Sequence, residues 1–372
     1  MHGQVMVYQP KFYYQIVPVD VNTTSSGVNK LNKVRYYICD NPIPGFKLHP
    51  AFYDKNGNEV NYILYSAYEG TRMNMEKGFA KESDLRNIID FNLDYDVLCS
   101  VAGQQPASGM RDNLTKTNFE KIAQNRGENW HIETAQAVAA NQLLMMIEYG
   151  KLNLQEEIGL GVTTINGYIN TAGVIRNGSV FTGSTTELGN STGSATMSTR
   201  LTPGFYDTDY SNMFTEELIW NGTRSISYRG MENPWGNIFK FINGLTVNAY
   251  GLVYINPDHL NNIDPILTNS KMTGYGGYIS KFNYIQDYDW LFIPIETTGS
   301  SAEPVGDFYT AGFGSNTSFY YGGRYFYDTS SSNGYSGIFC LSGQVDENNN
   351  TFHRGDIGAR LIYVPTADVE EV

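Results

Sequence analysis

Charge is scarce in this sequence: only 17% of its 372 residues are Asp, Glu, Lys or Arg, against roughly a quarter in ordinary soluble chains. Within that small set, 38 acidic residues outnumber 25 basic ones, for a net charge of -13. A nucleic-acid backbone is repelled by such a balance, and no compact basic stripe offsets it, so nucleic acid is not an expected partner. Cysteine is scarcer still. Cys39, Cys99 and Cys340 are odd in number, far apart, and form no Cys-x-x-Cys pair, which argues against a disulfide framework or a zinc site. The five histidines, at 2, 49, 131, 259 and 353, are equally scattered and read as ordinary polar residues. The longest strongly apolar run, Leu143 to Ile147, falls far short of the ~20 residues of a membrane helix. With no signal-peptide layout at the N-terminus, the chain reads as soluble, without membrane insertion. Gly-x-Ser-x-Gly, phosphate-loop and His-Glu-x-x-His patterns are absent, so the sequence offers no catalytic residue and no cofactor.

What is abundant is aromatic and neutral-polar. Aromatics make up 14%, and the 28 tyrosines outnumber all Lys plus Arg. The stretch around which the rest is organised is Tyr228 to Gly244, YRGMENPWGNIFKFING. Trp235, Ile238, Phe239 and Phe241 are too apolar to be left in water. Gly230, Gly236 and Gly244 mark points where the backbone needs freedom. It reads as a core-organising turn and strand, not as a site.

Taken in order, the chain begins strand-like at once. Val34 to Cys39 and Tyr62 to Tyr68 are further strand candidates, with prolines and an Asn-Gly turn between them. A helix is predicted over about 132–149, capped by Glu133 or Thr134 and ended by Gly150, and a shorter one over about 116–125. Met145 and Met146 have core spacing rather than that of a pliable groove. Residues 176–227 are rich in Gly, Ser, Thr and Asn with little periodicity and read as a long insertion or surface loop. Strands are expected at Tyr250–Ile255, at Trp290–Ile295 and over 357–365. The fold class is therefore α+β: a β-rich part over 1–110 and a body over 111–372 that carries the insertion, or one continuous domain over 1–372.

Three landmarks, NWHIETAQAVAANQLLMMIEYG, ENPWGNIFKFING and GGRY followed by GARLIY, resemble the formylglycine-generating-enzyme branch of the C-type lectin-like fold. The segments KFYYQI, GFKLHPAF, SYRGMENPWGNIFKFINGL, DYDWLFIP and GGR…GIF…GDIGARL, spanning roughly residues 5 to 364, are similar to phage and prophage virion surface proteins of this fold. The resemblance implies a C-type lectin-like architecture with long loop insertions and a place on the virion surface, as a tail- or head-fibre adhesin among other virion proteins. Some such proteins are diversified by retroelements and favour Tyr, Asn, Ser, Asp and Gly at variable positions. The stretch FYTAGFGSNTSFYYGGRYFYDTSSSNGYSG, 308–337, has that make-up. The enzymes of the branch imply a pair of reactive cysteines near the C-terminal strands. Only Cys340 lies there, and flanked by Phe339 and Leu341 it reads as a small buried residue, so an enzyme is not expected.

Binding suits this composition, because Tyr offers a large amphipathic surface with few rotatable bonds while Ser, Gly and Asn make adaptable hydrogen bonds. The expected ligand-binding residues are Tyr309, Asn316, Phe319, Tyr320, Tyr325, Tyr327 and Tyr335, with Tyr309, Tyr320, Tyr327 and Tyr335 largely exposed. Tyr325 shares a strand face with Tyr327, yet its place in GGRY resembles a scaffold tryptophan of the family. The expected partner is a bacterial surface polysaccharide or a protein receptor. Two other readings stand beside this one. The tyrosines cover a β-rich core or contact neighbouring subunits, in a purely structural virion decoration or fibre-attachment protein; and Asp287 with Asp289 either share a cation such as calcium or form a solvated acidic turn. Self-association through the N-terminal strand is also expected, since Val5, Val7, Phe12 and Tyr13 open the chain with no covering element.

Overall fold

The structure, a computed structural model, describes residues 4–25, 27, 29–76, 78–79, 92–108, 114–163, 178–192, 196–201, 214–217, 224–256, 265–274, 276–314, 317–323, 336–345, 352 and 356–367. Among these, strands dominate and three α-helices are present. The elements that build the core and its surroundings are β1 (Met6–Pro10), β2 (Tyr13–Thr23), β3 (Asn29–Cys39), β4 (Tyr62–Ser66), α1 (Lys116–Gln124), β5 (Trp130–Ile132), α2 (Ala135–Tyr149), α3 (Leu154–Ile158), β6 (Ile226–Tyr228), β7 (Met231–Glu232), β8 (Phe239–Phe241), β9 (Phe308–Ala311), β10 (Thr317–Tyr321), β11 (Leu341–Val345) and β12 (Leu361–Tyr363).

Two sheets share the core. One has the order β1-β4-β12-β5, so the C-terminal strand pairs with both β4 and β5. Residues of the first 110 and of the last dozen thus belong to one sheet. The other runs Gly277–Tyr278, β9, β11, β10, β8, Ile357–Gly358, mostly antiparallel, with parallel pairings of β9 to β11 and of β8 to its terminal neighbour. Beside them β2 and β3 form a long antiparallel hairpin.

Helix α2 runs through the middle. Thr134 caps it by accepting from the Ala137 amide, and Gly150 ends it in the left-handed region at φ 64°, the two ends that sequence signals mark. Eleven of its fifteen residues are buried, Gln136, Asn141 and Gln142 among them, so it is sunk in the core on nearly every side rather than amphipathic. Two of the buried amides donate to core carbonyls: Gln136 to that of Asn256 at 2.7 Å and Gln142 to that of Ile338 at 3.0 Å. Met145 and Met146 fill the core, as their spacing predicts.

The 228–244 stretch packs as a core-organising turn. Arg229 and Gly230, at φ 41° and 95°, make a two-residue turn between β6 and β7, the geometry that matches strand twist in a hairpin. Gly236 sits at φ 82°, and a Cβ there would lie 2.5 Å from the Val162 amide nitrogen, so glycine is required twice over. Trp235 is fully buried and donates its indole N–H to the Gly159 carbonyl at 3.1 Å.

Two expectations are corrected by the backbone. Trp290–Ile293 is buried as expected, but it is not strand: it follows a 3-10 turn over Gln286–Tyr288, the Leu291 N–H bonds locally to the Tyr288 carbonyl, and although the Ile293 carbonyl accepts from the Asn283 amide at 2.9 Å, strand pairing starts only at Pro294–Glu296. Nor are the described residues of the 176–227 segment structureless. Gly178–Val180, Thr196–Leu201 and Phe214–Glu217 form a three-stranded antiparallel sheet, and Ser191–Thr192 pairs with β6. The first of these strands is held to the core by Asn237, whose side chain accepts from the Val180 amide at 2.7 Å and donates to its carbonyl at 3.1 Å. Backbone pairing of this kind leaves no apolar periodicity to read.

Candidate functional site

The six-stranded sheet carries three of the aromatic residues that the sequence marks as ligand-binding, Tyr309, Phe319 and Tyr320, and it turns them inward. Tyr309 and Phe319 are 0% exposed and Tyr320 is 4% exposed. Tyr309, on β9, donates its hydroxyl to the Thr273 carbonyl at 2.9 Å. Tyr320, on β10, stands edge-on to Phe239 and Phe241 with ring centroids 5.0 and 6.3 Å apart. The expectation that Tyr309, Phe319 and Tyr320 face a ligand is therefore corrected: they are core. The reason is positional. Every residue of β10 is buried, so both faces of this central strand are covered, and alternation along it separates no binding face from a packing face. Asn316, Tyr325, Tyr327 and Tyr335 lie outside the described residues.

What the structure does define is the frame on either side of residues 324–335. On one flank, Gly322 donates to the Cys340 carbonyl at 3.0 Å and accepts from Gly236 of the central turn at 2.7 Å. Gly323 lies so close to the Phe239 ring that a Cβ would meet it at 2.1 Å. On the other flank Ser336 is fully buried and donates to the Leu160 carbonyl at 2.7 Å. Gly337 presses against the Asp307 carboxylate, where an added Cβ would stand 1.8 Å from Oδ1. Asp307 accepts from the Phe339 amide at 2.7 Å and from the Gln155 side chain at 2.8 Å, and burial still pushes its carboxyl up to about 7.

Behind this frame lies a buried charged cluster. Lys240 on β8 pairs with Glu69 at 3.1 Å and donates to the Gly236 carbonyl at 2.8 Å. Glu69 also accepts from Asn237. Arg360 reaches the carbonyls of Ser66 at 2.9 Å and Asn233 at 3.2 Å, and that of Glu232. Glu133, just before α2, accepts from the Tyr321 hydroxyl; burial raises its carboxyl above the usual range, with Arg360 acting the other way. Burial pulls the Lys240 ammonium down to about 8 although the Glu69 carboxylate lies beside it. Groups shifted in this way often mark active sites. Here, however, each named carboxylate and cation is engaged by other groups of the core, and the arrangement ties β4, the central turn, α2 and the C-terminal strands together.

Cys340 is buried, and burial pushes its thiol well above the ordinary range, in keeping with its reading as packing. It lines a cavity of ≈ 20 Å³ between α2 and Leu291–Ile293, with Gln142 and Tyr321 on the wall, room for about one water. Asp289 is spoken for by Lys47 at 3.0 Å and the Tyr14 hydroxyl at 2.8 Å, while Asp287 sits in the 3-10 turn. Among the described residues no group of three His, Cys, Asp or Glu could hold a metal ion, and no helix is long and apolar enough to cross a membrane.

Among the described residues, the aromatics most exposed to solvent are others: Tyr8, Tyr37, Tyr95 and Tyr250, the last 77% exposed. Tyr250 stands in the turn Asn248–Gly251, where Asn248 accepts from the amides of residues 250 and 252. The signal for it was available, since an Asn three residues before a Gly marks a turn whose central side chains point outward. Compared with known proteins, the chain matches no family model and no curated sequence.

Proposed function

We propose that this chain is a phage virion surface protein of C-type lectin-like fold, which binds a bacterial surface receptor, polysaccharide or protein, through its Tyr-, Ser- and Asn-rich C-terminal segment. The observation that supports it is the frame: residues 324–335, RYFYDTSSSNGY, are flanked by residues pinned into the core on both sides. A rigid scaffold carrying a segment of that composition is how binding surfaces of adaptable chemistry are built. With Tyr309, Phe319 and Tyr320 assigned to the core, the face narrows to Asn316, Tyr325, Tyr327 and Tyr335. The burial of those same aromatics favours a second reading, a structural decoration or fibre-attachment protein in which tyrosine serves packing.

Competition separates the two. Purified protein added to cells of the host should coat them and block adsorption of the parent phage. Failure to coat those cells, together with retention of the protein on virions, would favour the structural reading.

A further inference from the structure

Edge strands are exposed to pairing with other chains, and proteins blunt them with charge, brevity or irregularity. Among the described strands, five of four or more residues stand at a sheet edge, and four carry charge. These are β3 with Lys30, Lys33 and Arg35, Asp96–Cys99 with Asp96, Phe214–Glu217 with Glu216 and Glu217, and Ile266–Lys271 with Lys271, the last also broken by Asn269 at φ 60°. The fifth is β1, MVYQP, which has none.

Among the described residues, no hydrogen bond to another segment takes up the outer main-chain groups of Met6 and Tyr8, while the Pro10 carbonyl accepts from the Gln9 side chain at 2.9 Å. Val5 accepts from the Ala67 amide at 3.0 Å and Lys11 donates to the Asn61 carbonyl at 2.9 Å, so odd-numbered residues bond toward β4. By strand alternation the main-chain groups of Met6, Tyr8 and Pro10 point away from the sheet. Tyr8 is 59% exposed and its ring stacks on Tyr62 at 4.9 Å, so an apolar ring lies at this edge.

We propose that β1 is a homodimerisation edge, pairing antiparallel with β1 of a second copy about a two-fold axis at Val7. A second copy is the fitting occupant for two reasons. An antiparallel strand about a two-fold is its own complement, and although the chain carries a net charge of -13, Gln4 to Pro10 carry none, so two copies meet there without like charges in contact. Pro10 disfavours an axis at Tyr8, which would set Met6 opposite Pro10 and call on an N–H that proline lacks. Centring on Val7 places Met6 opposite Tyr8 of the partner subunit twice over, giving four N–H···O bonds that never call on the N–H that Pro10 lacks.

Sedimentation of the full chain tests this. At ~100 µM, a concentration suited to the weak end of interface sizes, the wild type should sediment as a dimer. The double variant Met6→Lys/Tyr8→Lys sets like charges face to face across the axis and should be monomeric with an unchanged melting temperature. Met6→Lys/Tyr8→Glu sets opposite charges face to face and should be dimeric again. A monomeric wild type, or a dimer that survives the double lysine change, overturns the proposal; a monomeric Lys/Glu variant overturns the Val7-centred register.

Discussion

Lys240 and Glu69 form an ion pair 3.1 Å long in which neither side chain is more than 1% exposed. It joins the central strand β8 to the turn after β4, two segments far apart in sequence. Removing two charges from water is costly, and the pair is held only because backbone carbonyls and Asn237 occupy the remaining hydrogen-bonding positions.

Breaking the pair on one side strands the other charge. Lys240→Met and Glu69→Gln should each destabilise the chain by ~3–5 kcal/mol, and the double variant should cost clearly less than the sum of the two. Denaturant unfolding of the three variants measures this. Single costs below ~1 kcal/mol would mean that the pair is not dry.

His49 gives stability a pH dependence. It is fully buried, with the rings of Phe12, Tyr14, Phe52 and Trp290 at centroid distances of 5.1 to 6.4 Å, and its Nδ1 accepts from the Ala51 amide. Burial lowers its pKa from 6.5 to about 3. Between those values the unfolded chain binds a proton that the folded chain refuses. This stability is therefore fully present above pH 6.5 and is lost as pH falls toward 3, by ~5 kcal/mol in total. Melting temperature against pH should fall in that window, and His49→Asn, which keeps an acceptor for Ala51, should flatten the fall. An unchanged profile in the variant would assign the acid sensitivity to other groups.

Trp235→Ala removes the largest fully buried side chain among the described residues and should cost ~3–5 kcal/mol, whereas Tyr250→Ala, at the exposed turn, should stay within ~0.5 kcal/mol of wild type. Thermal or denaturant melts compare them directly. Equal effects would contradict the division between scaffold and surface.

How far the sequence could be read depended on whether a signal was local. Thr134, Gly150 and the glycines of the central turn act through the backbone of their own neighbourhood, so caps and turns were legible. The ends of α1 and α2 lie within a few residues of expectation. Tyr309, Phe319 and Tyr320 were misread because composition cannot say which of two covered faces a central strand has. The Glu69–Lys240–Arg360 cluster was invisible for the complementary reason: its members come from positions 69, 240 and 360, and nothing in their local context distinguishes a buried charge from a solvated one.

Presentation of residues 324–335 for binding by a rigid frame is tested most directly by one variant, Tyr325→Ala/Tyr327→Ala/Tyr335→Ala, assayed for adsorption to host cells and for melting temperature. Adsorption should be abolished while the melting temperature moves by about 3 °C or less. A variant that unfolds would place these tyrosines in the core with Tyr309 and Tyr320, and one that folds and adsorbs like wild type would contradict the assignment of the binding face.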